Sequence, residues 1–188
     1  MKPRKVVARK ANATGFSKLK PGLSSLYQEF VRQCGPFEFF VRLTFPWGTS
    51  ARACCKYTSQ YLKMHNKMIF GREYYEKSDF IQGFAFVEDH RNRDEKHVHL
   101  LIMPHARYDR FTLTQHQDIF VNSALKVRKP NGKRVFKKEY IDLRYYDNDG
   151  AVGYSTKQIW SPNDLSRMKT LDKSGLTDDL DDFGPHYR

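Results

Sequence analysis

Two apolar segments, residues 80–87 (FIQGFAFV) and 98–103 (VHLLIM), flank the very polar run HRNRDEK at 90–96, and that arrangement confines the middle of the chain to a β-hairpin. In a strand alternate side chains share a face, so His97 and His99 point one way while Val98, Leu100 and Ile102 point the other. Pairing Glu88 with His97 places Phe86 opposite His99 and Phe84 opposite Leu101, and sends Ile81, Ala85 and Val87 to the covered face. The register that completes a core therefore also brings a carboxylate beside two imidazoles.

An isolated His-x-His is commonly an ordinary pair of surface histidines; the co-facing Glu88 sets this one apart. Two nitrogens and one oxygen leave coordination positions open, which suits a divalent ion such as Mn²⁺ or Mg²⁺ that also holds a phosphate oxygen. A shifted register would substitute Asp89, His90 or Glu95 as the third ligand, with His105 a bystander.

Around this hairpin the chain reads as strand, helix, strand, strand, helix, strand, helix. The run FEFFVRLTF at 37–45 is a strand closed by Pro46 and Gly48. Ser50 caps a helix whose stripe is Cys54, Tyr57, Tyr61, Met64 and Met68, which makes the vicinal cysteines packing residues rather than reactive thiols. Residues 110–127 are weakly helical, 129–133 (KPNGK) form a turn, and 135–146 supply one or two strands. Residues 151–160 (AVGYSTKQIW) form a short helix stopped by Ser161 and Pro162. The order predicts an α+β fold in which an antiparallel sheet of about five strands carries helices mainly on one face. Residues 1–25 read as a basic arm, 26–162 as the folded domain and 163–188 as a polar tail with clustered Asp178, Asp179, Asp181 and Asp182.

On the short helix, Val152 and Ile159 fall on one side and Tyr154 roughly opposite, with Lys157 three residues on and co-facing. A phenolate is a competent nucleophile toward phosphorus, and a neighbouring ammonium stabilises both the phenolate and charge developing on phosphate. Tyr145 and Tyr146 compete as nucleophiles but lack a lysine at helical spacing.

Composition agrees with a polyanionic partner. The 188 residues carry 33 Lys+Arg against 21 Asp+Glu, a formal charge of +12, and seven cations with no acid lie in the first twenty positions. Three cysteines, two of them adjacent, fit a reducing compartment. No apolar run is long enough to span a bilayer or to act as a signal peptide, so a cytoplasmic protein is expected.

The ordered set FVRLTF at 40–45, Glu88, HVH at 97–99 and YSTK at 154–157 resembles the HUH endonuclease superfamily, in particular single-tyrosine rolling-circle replication initiator (Rep) proteins of plasmids and phages. The resemblance covers residues 37–160. It implies a palm similar to RNA-recognition-motif and ferredoxin-like folds, and a metal held by Glu88, His97 and His99 that polarises a phosphate in single-stranded or hairpin origin DNA. It also implies Tyr154 as the nucleophile that forms a 5′-phosphotyrosyl link and frees a 3′-OH, with Lys157 assisting. Relaxases carry a third histidine in place of the carboxylate, whereas a single-tyrosine transposase uses the same parts. No GxxxxGK[ST] loop is present, so unwinding and synthesis would fall to a separate or host helicase and polymerase, as in a bacterial host cell.

A second resemblance competes. QGFAFVED at 82–89 is similar to a signature of the RNA-recognition motif, with Gly83, Phe84, Ala85, Phe86 and Val87 matching and Gln82 and Asp89 departing. It implies a non-catalytic single-strand binder. In either reading Phe84 and Phe86 stack bases on an open sheet face, and strand alternation adds Arg42, Thr44, Tyr140 and Arg144 as DNA contacts.

Overall fold

The computed structural model describes residues 22–89, 95–147, 150–159 and 166–177. Most of the basic arm, His90, Ser161, Pro162 and the Asp178–Asp182 cluster lie outside the described residues. The elements are α1 (Leu23–Cys34), β1 (Phe39–Thr44), α2 (Ala51–Phe70), β2 (Gly83–Asp89), β3 (Lys96–Ile102), α3 (Leu113–Leu125), β4 (Ile141–Tyr145), α4 (Gly150–Thr156), β5 (Met168–Asp172) and β6 (Gly175–Thr177). The strands form an open antiparallel sheet in the order β4-β1-β3-β2-β5-β6, so the fold is α+β. No helix among the described residues is long and apolar enough to cross a membrane.

The hairpin adopts the register with Glu88 opposite His97, Phe86 opposite His99 and Phe84 opposite Leu101. β1 lies on the other side of β3, with Arg42 opposite His99 and Thr44 opposite His97. One sheet face contributes Phe39, Val41, Leu43, Ala85, Val87, Val98, Leu100 and Ile102 to the main core, under α2 and α3. The Ser50 hydroxyl accepts from the Ala53 N–H and starts α2, while Thr112 and Gln115 close a capping box at α3. The buried side of α2 includes Cys54 and Tyr61 as expected but turns toward Thr58, Leu62, His65 and Ile69, leaving Tyr57, Met64 and Met68 half-buried. α3 and β6 both pack on α2, and their positions set that rotation.

Three features differ from the sequence reading. First, helices cover both faces. α1 and α4 pack on the face that was expected to be open, burying Phe84, Phe86, Leu101 and Met168 with Val31 and Val152. The cause is the face itself: its aromatic end offers too much apolar surface to leave in water. The α1 signal was legible, since Leu23, Leu26, Tyr27, Phe30, Val31 and Cys34 recur at helical spacing. Second, the region assigned to a polar tail supplies β5 and β6, with Met168 opposite Phe86 and Thr170 opposite Phe84. Third, of residues 135–146 only Ile141–Tyr145 is a strand; Arg134 bridges Arg128 across the 129–133 turn, and Lys138–Tyr140 is a 3-10 turn.

The main core contains His65, wholly buried against Phe120 with ring centroids 4.2 Å apart, and neither ring nitrogen finds a hydrogen-bond partner among the described residues. Burial holds its pKa down at about 3, with a smaller push from His116. The folded protein keeps this ring neutral while the unfolded chain protonates near pH 6.5, so acid favours unfolding through the window from 6.5 down toward 3. Stability is expected to fall by about 1.4 kcal/mol per pH unit from this group once pH is below 6.5. Denaturant melts of wild type and His65→Phe at pH 7 and pH 5 check it: the variant should lose the smaller amount, and equal losses would acquit His65.

Candidate active site

His97 and His99 stand on β3, Glu88 on β2 and Thr44, Arg42 and Phe40 on β1, all on the face that α4 approaches. β3 places His99 deep in the sheet, 1 % exposed, with its ring stacked on Phe40 at 5.4 Å and 7°. His99 Nε2 lies 2.6 Å from Glu88 Oε2, and Lys157 Nζ lies 2.5 Å from Glu88 Oε1. His97 Nδ1 is 3.1 Å from the Thr44 hydroxyl, and its ring centroid is 6.3 Å from that of His99.

α4 brings the phenol. The helix expected over 151–160 spans Gly150–Thr156; Val152 on it is buried on the aromatic face, Ile159 reaches the same cluster from the turn that follows, and together they set Tyr154 toward the histidines. The Tyr154 ring meets His99 edge to face at 5.1 Å and 86°, while Lys157 Nζ sits 3.4 Å from the Tyr154 ring centroid. The ammonium thus touches both the phenol ring and the carboxylate. Tyr145 instead stacks on Phe39 and Tyr146 packs edge-on against Phe37.

The electrostatics follow from these contacts. Burial pushes the Glu88 carboxyl up, but hydrogen bonds from His99 and Lys157 and the Lys157 charge outweigh it and hold the group below the usual carboxylate range. Burial lowers the His99 pKa, with Glu88 opposing and Lys157 and Arg42 adding to the drop, so the ring is neutral at pH 7. Burial lowers the Lys157 pKa while Glu88 and Tyr154 raise it further, leaving it above its ordinary value. A neutral His99 therefore donates Nε2–H to a carboxylate, and an ammonium completes the pair.

Among the described residues no three His, Cys, Asp or Glu side chains are gathered as tightly as a metal cage requires. Two imidazoles and a carboxylate are nonetheless donors of the kind a divalent ion takes. Glu88, His97 and His99 share one face, His99 and Glu88 are already in contact, and His99 Nδ1 is buried without a partner, so it can take up the proton if Nε2 gives its lone pair to a metal. The observed register puts Glu88 opposite His97, so the shifted pairing that would bring in another ligand is not adopted; Asp89 is bound by Lys96 and Arg167, and the bystander His105 pairs with Asp79 at 2.8 Å.

Of the expected DNA contacts, Arg42 and Arg144 share the Asp142 carboxylate at 3.4 and 2.8 Å and line an open groove of about 400 Å³ that ends at His99 and Tyr154. Thr44 contacts His97 at the same site. Phe84 and Phe86 are 0 % and 2 % exposed, so the expectation that they stack bases is wrong: α1 and α4 already occupy that face. Tyr140 lies in the 3-10 turn ahead of β4, with Lys137 over its ring, rather than on the strand.

Phe40, Asp142 and Gln158 escaped the sequence reading. The Gln158 side chain accepts from the Asp89 N–H at 3.0 Å and donates to the Asp89 carbonyl at 2.7 Å, pinning the end of α4 to β2 one residue from Glu88. Arg167 bonds both Asp89 and Gln158. No local pattern signals a pairing 69 positions apart. Gln158→Ala removes the two bonds to Asp89, worth about 1 kcal/mol each, together with the longer contact from Arg167, and is expected to lower Tm by at least about 4–8 °C, measured by calorimetry; an unchanged Tm would show that α4 is held without this clamp.

Comparison with protein-family models, curated proteins and solved structures finds no match for this chain.

Proposed function

We propose that the chain is a metal-dependent nickase and strand transferase of the HUH type, acting on single-stranded or hairpin DNA to start rolling-circle replication with a separate helicase and polymerase. The observation that carries this reading is the convergence on one sheet face of Tyr154, Lys157 and the His99–Glu88 pair, brought together from α4 and its end, β3 and β2.

Tyr154 Oη attacks the scissile phosphorus, forming the Oη–P bond and breaking the P–O3′ bond; the proton lost by the phenol is balanced by one gained at the departing 3′-oxygen. Lys157, cationic and 3.4 Å from the ring centroid, offsets negative charge building on the phosphate. Glu88 fixes both Lys157 and His99 and supplies the negative charge that keeps the ammonium in place. Arg42 and Arg144 hold backbone phosphates along the groove and present no barrier to an extended strand. Glu88, His97 and His99 are the residues that would hold Mn²⁺ or Mg²⁺, whose chemistry is Lewis-acid polarisation of a phosphate oxygen. Attack by a 3′-OH on the phosphotyrosine reverses the step and rejoins the strand. Burial of Phe84 and Phe86 takes away the stacking platform on which a purely binding, RNA-recognition-type role would depend.

The test is incubation of the whole chain with a randomised pool of single-stranded 40-nucleotide DNA and Mn²⁺, followed by denaturing electrophoresis. A protein–DNA adduct that survives denaturation and is lost with EDTA supports the reading. Absence of any adduct across the pool, with either metal, removes it.

A further inference from the structure

The face of the sheet remote from Tyr154 carries a second concentration of charge. α2 contains no Asp or Glu, and its cations Arg52, Lys56, Lys63 and Lys67 are all exposed. At 100° per residue these four fall within about 60° of one another, a single stripe about 22 Å long. Beside it, Arg128 and Lys129 of the turn after α3 line a groove with Lys56. Among the described residues none of the six side chains forms an ion pair.

Apart from Lys67, whose charge suits the last turn, this stripe works against the helix that bears it. Arg52 with Lys56, and Lys63 with Lys67, are like-charge pairs at i,i+4, each destabilising by some tenths of a kcal/mol. Arg52 also sits in the first turn, at the positive end of the helix dipole. An ordinary solvated face mixes both signs. A bound polyanion would relieve all three repulsions at once.

We propose that the α2 stripe, with Arg128 and Lys129, is a second nucleic-acid surface that grips the phosphate backbone of duplex DNA. Duplex is favoured over single strand because a single strand is held largely by stacking on a row of aromatic rings, whereas here one half-buried ring, Tyr57, lines the groove with Lys56, Arg128 and Lys129, and Tyr61 is wholly buried. A rigid, straight row of cations suits a rigid rod of phosphates, read without base contacts. Because α2 covers the opposite face of the sheet from His99 and Tyr154, duplex held here leaves the groove at Tyr154 free for a single strand.

The experiment compares wild type with Arg52→Gln/Lys56→Gln/Lys63→Gln/Lys67→Gln, binding a labelled random-sequence 20-bp duplex and a 20-nucleotide single strand between 50 and 200 mM KCl. The proposal expects at least tenfold weaker duplex binding at 100 mM KCl, a salt slope shallower by about 3–4, and single-strand affinity within twofold of wild type. A charge-keeping variant, Arg52→Lys/Lys56→Arg/Lys63→Arg/Lys67→Arg, should bind duplex as wild type does. Unchanged duplex affinity in the glutamine variant, an equal loss for both DNAs, or a loss in the charge-keeping variant overturns it. The assay reads binding alone, so a chain that never nicks DNA still answers it.

Discussion

Tyr154→Phe is expected to abolish the denaturation-resistant adduct, with a rate loss on the order of 10⁴ or more, as when a covalent nucleophile is deleted. The change removes one oxygen and keeps the ring that packs edge-on against His99 at 5.1 Å and lies under the Lys157 ammonium. Because Tyr154 is about half exposed, its hydroxyl contributes little to folding, and Tm should stay within a degree or two of wild type. Single-strand affinity should likewise hold within twofold, since the groove cations Arg42 and Arg144 are untouched. A surviving adduct would place the nucleophile elsewhere, with Tyr146 and Tyr145 on the groove wall the next residues to replace.

Glu88→Gln is expected to slow adduct formation by roughly 10²–10³ and to move its Mn²⁺ dependence to higher concentration. The substitution keeps the shape and an acceptor for His99 but deletes the charge that both His99 and Lys157 lean on. Lys157 would then lose the contact that raises its pKa most, and its ammonium would no longer be fixed over the Tyr154 ring. Single-turnover rates across a Mn²⁺ series measure both effects. A wild-type rate with a wild-type metal dependence would take Glu88 out of the site.

The parts of this site that were legible in the sequence share a physical origin. Strand alternation and the demand for an apolar face fix the β2–β3 register without reference to anything outside 81–102, so Glu88 beside His97 and His99 follows from a hairpin's own geometry. Helical spacing likewise sets Tyr154 away from Val152 on α4, and the turn that follows the helix brings Lys157 over the Tyr154 ring. The misreading of Phe84 and Phe86 came from treating their face as open. Their own hydrophobicity, with Leu101 opposite Phe84, argued that something must cover it, and the periodic run at 23–34 was the available cover.

Local sequence thus determined which residue types stand together on each hairpin and helix, because periods of 2 and 3.6 act over neighbouring positions. Only the tertiary structure decided that α1 and α4 cover the aromatic face, that β5 and β6 extend the sheet, and that Gln158 clamps α4 to Asp89. The same docking sets Lys157 between Glu88 and Tyr154 and leaves the α2 stripe on the far face. Those outcomes depend on contacts between segments far apart in the chain, where no periodicity operates and shape, burial and pairing of charge choose the partner.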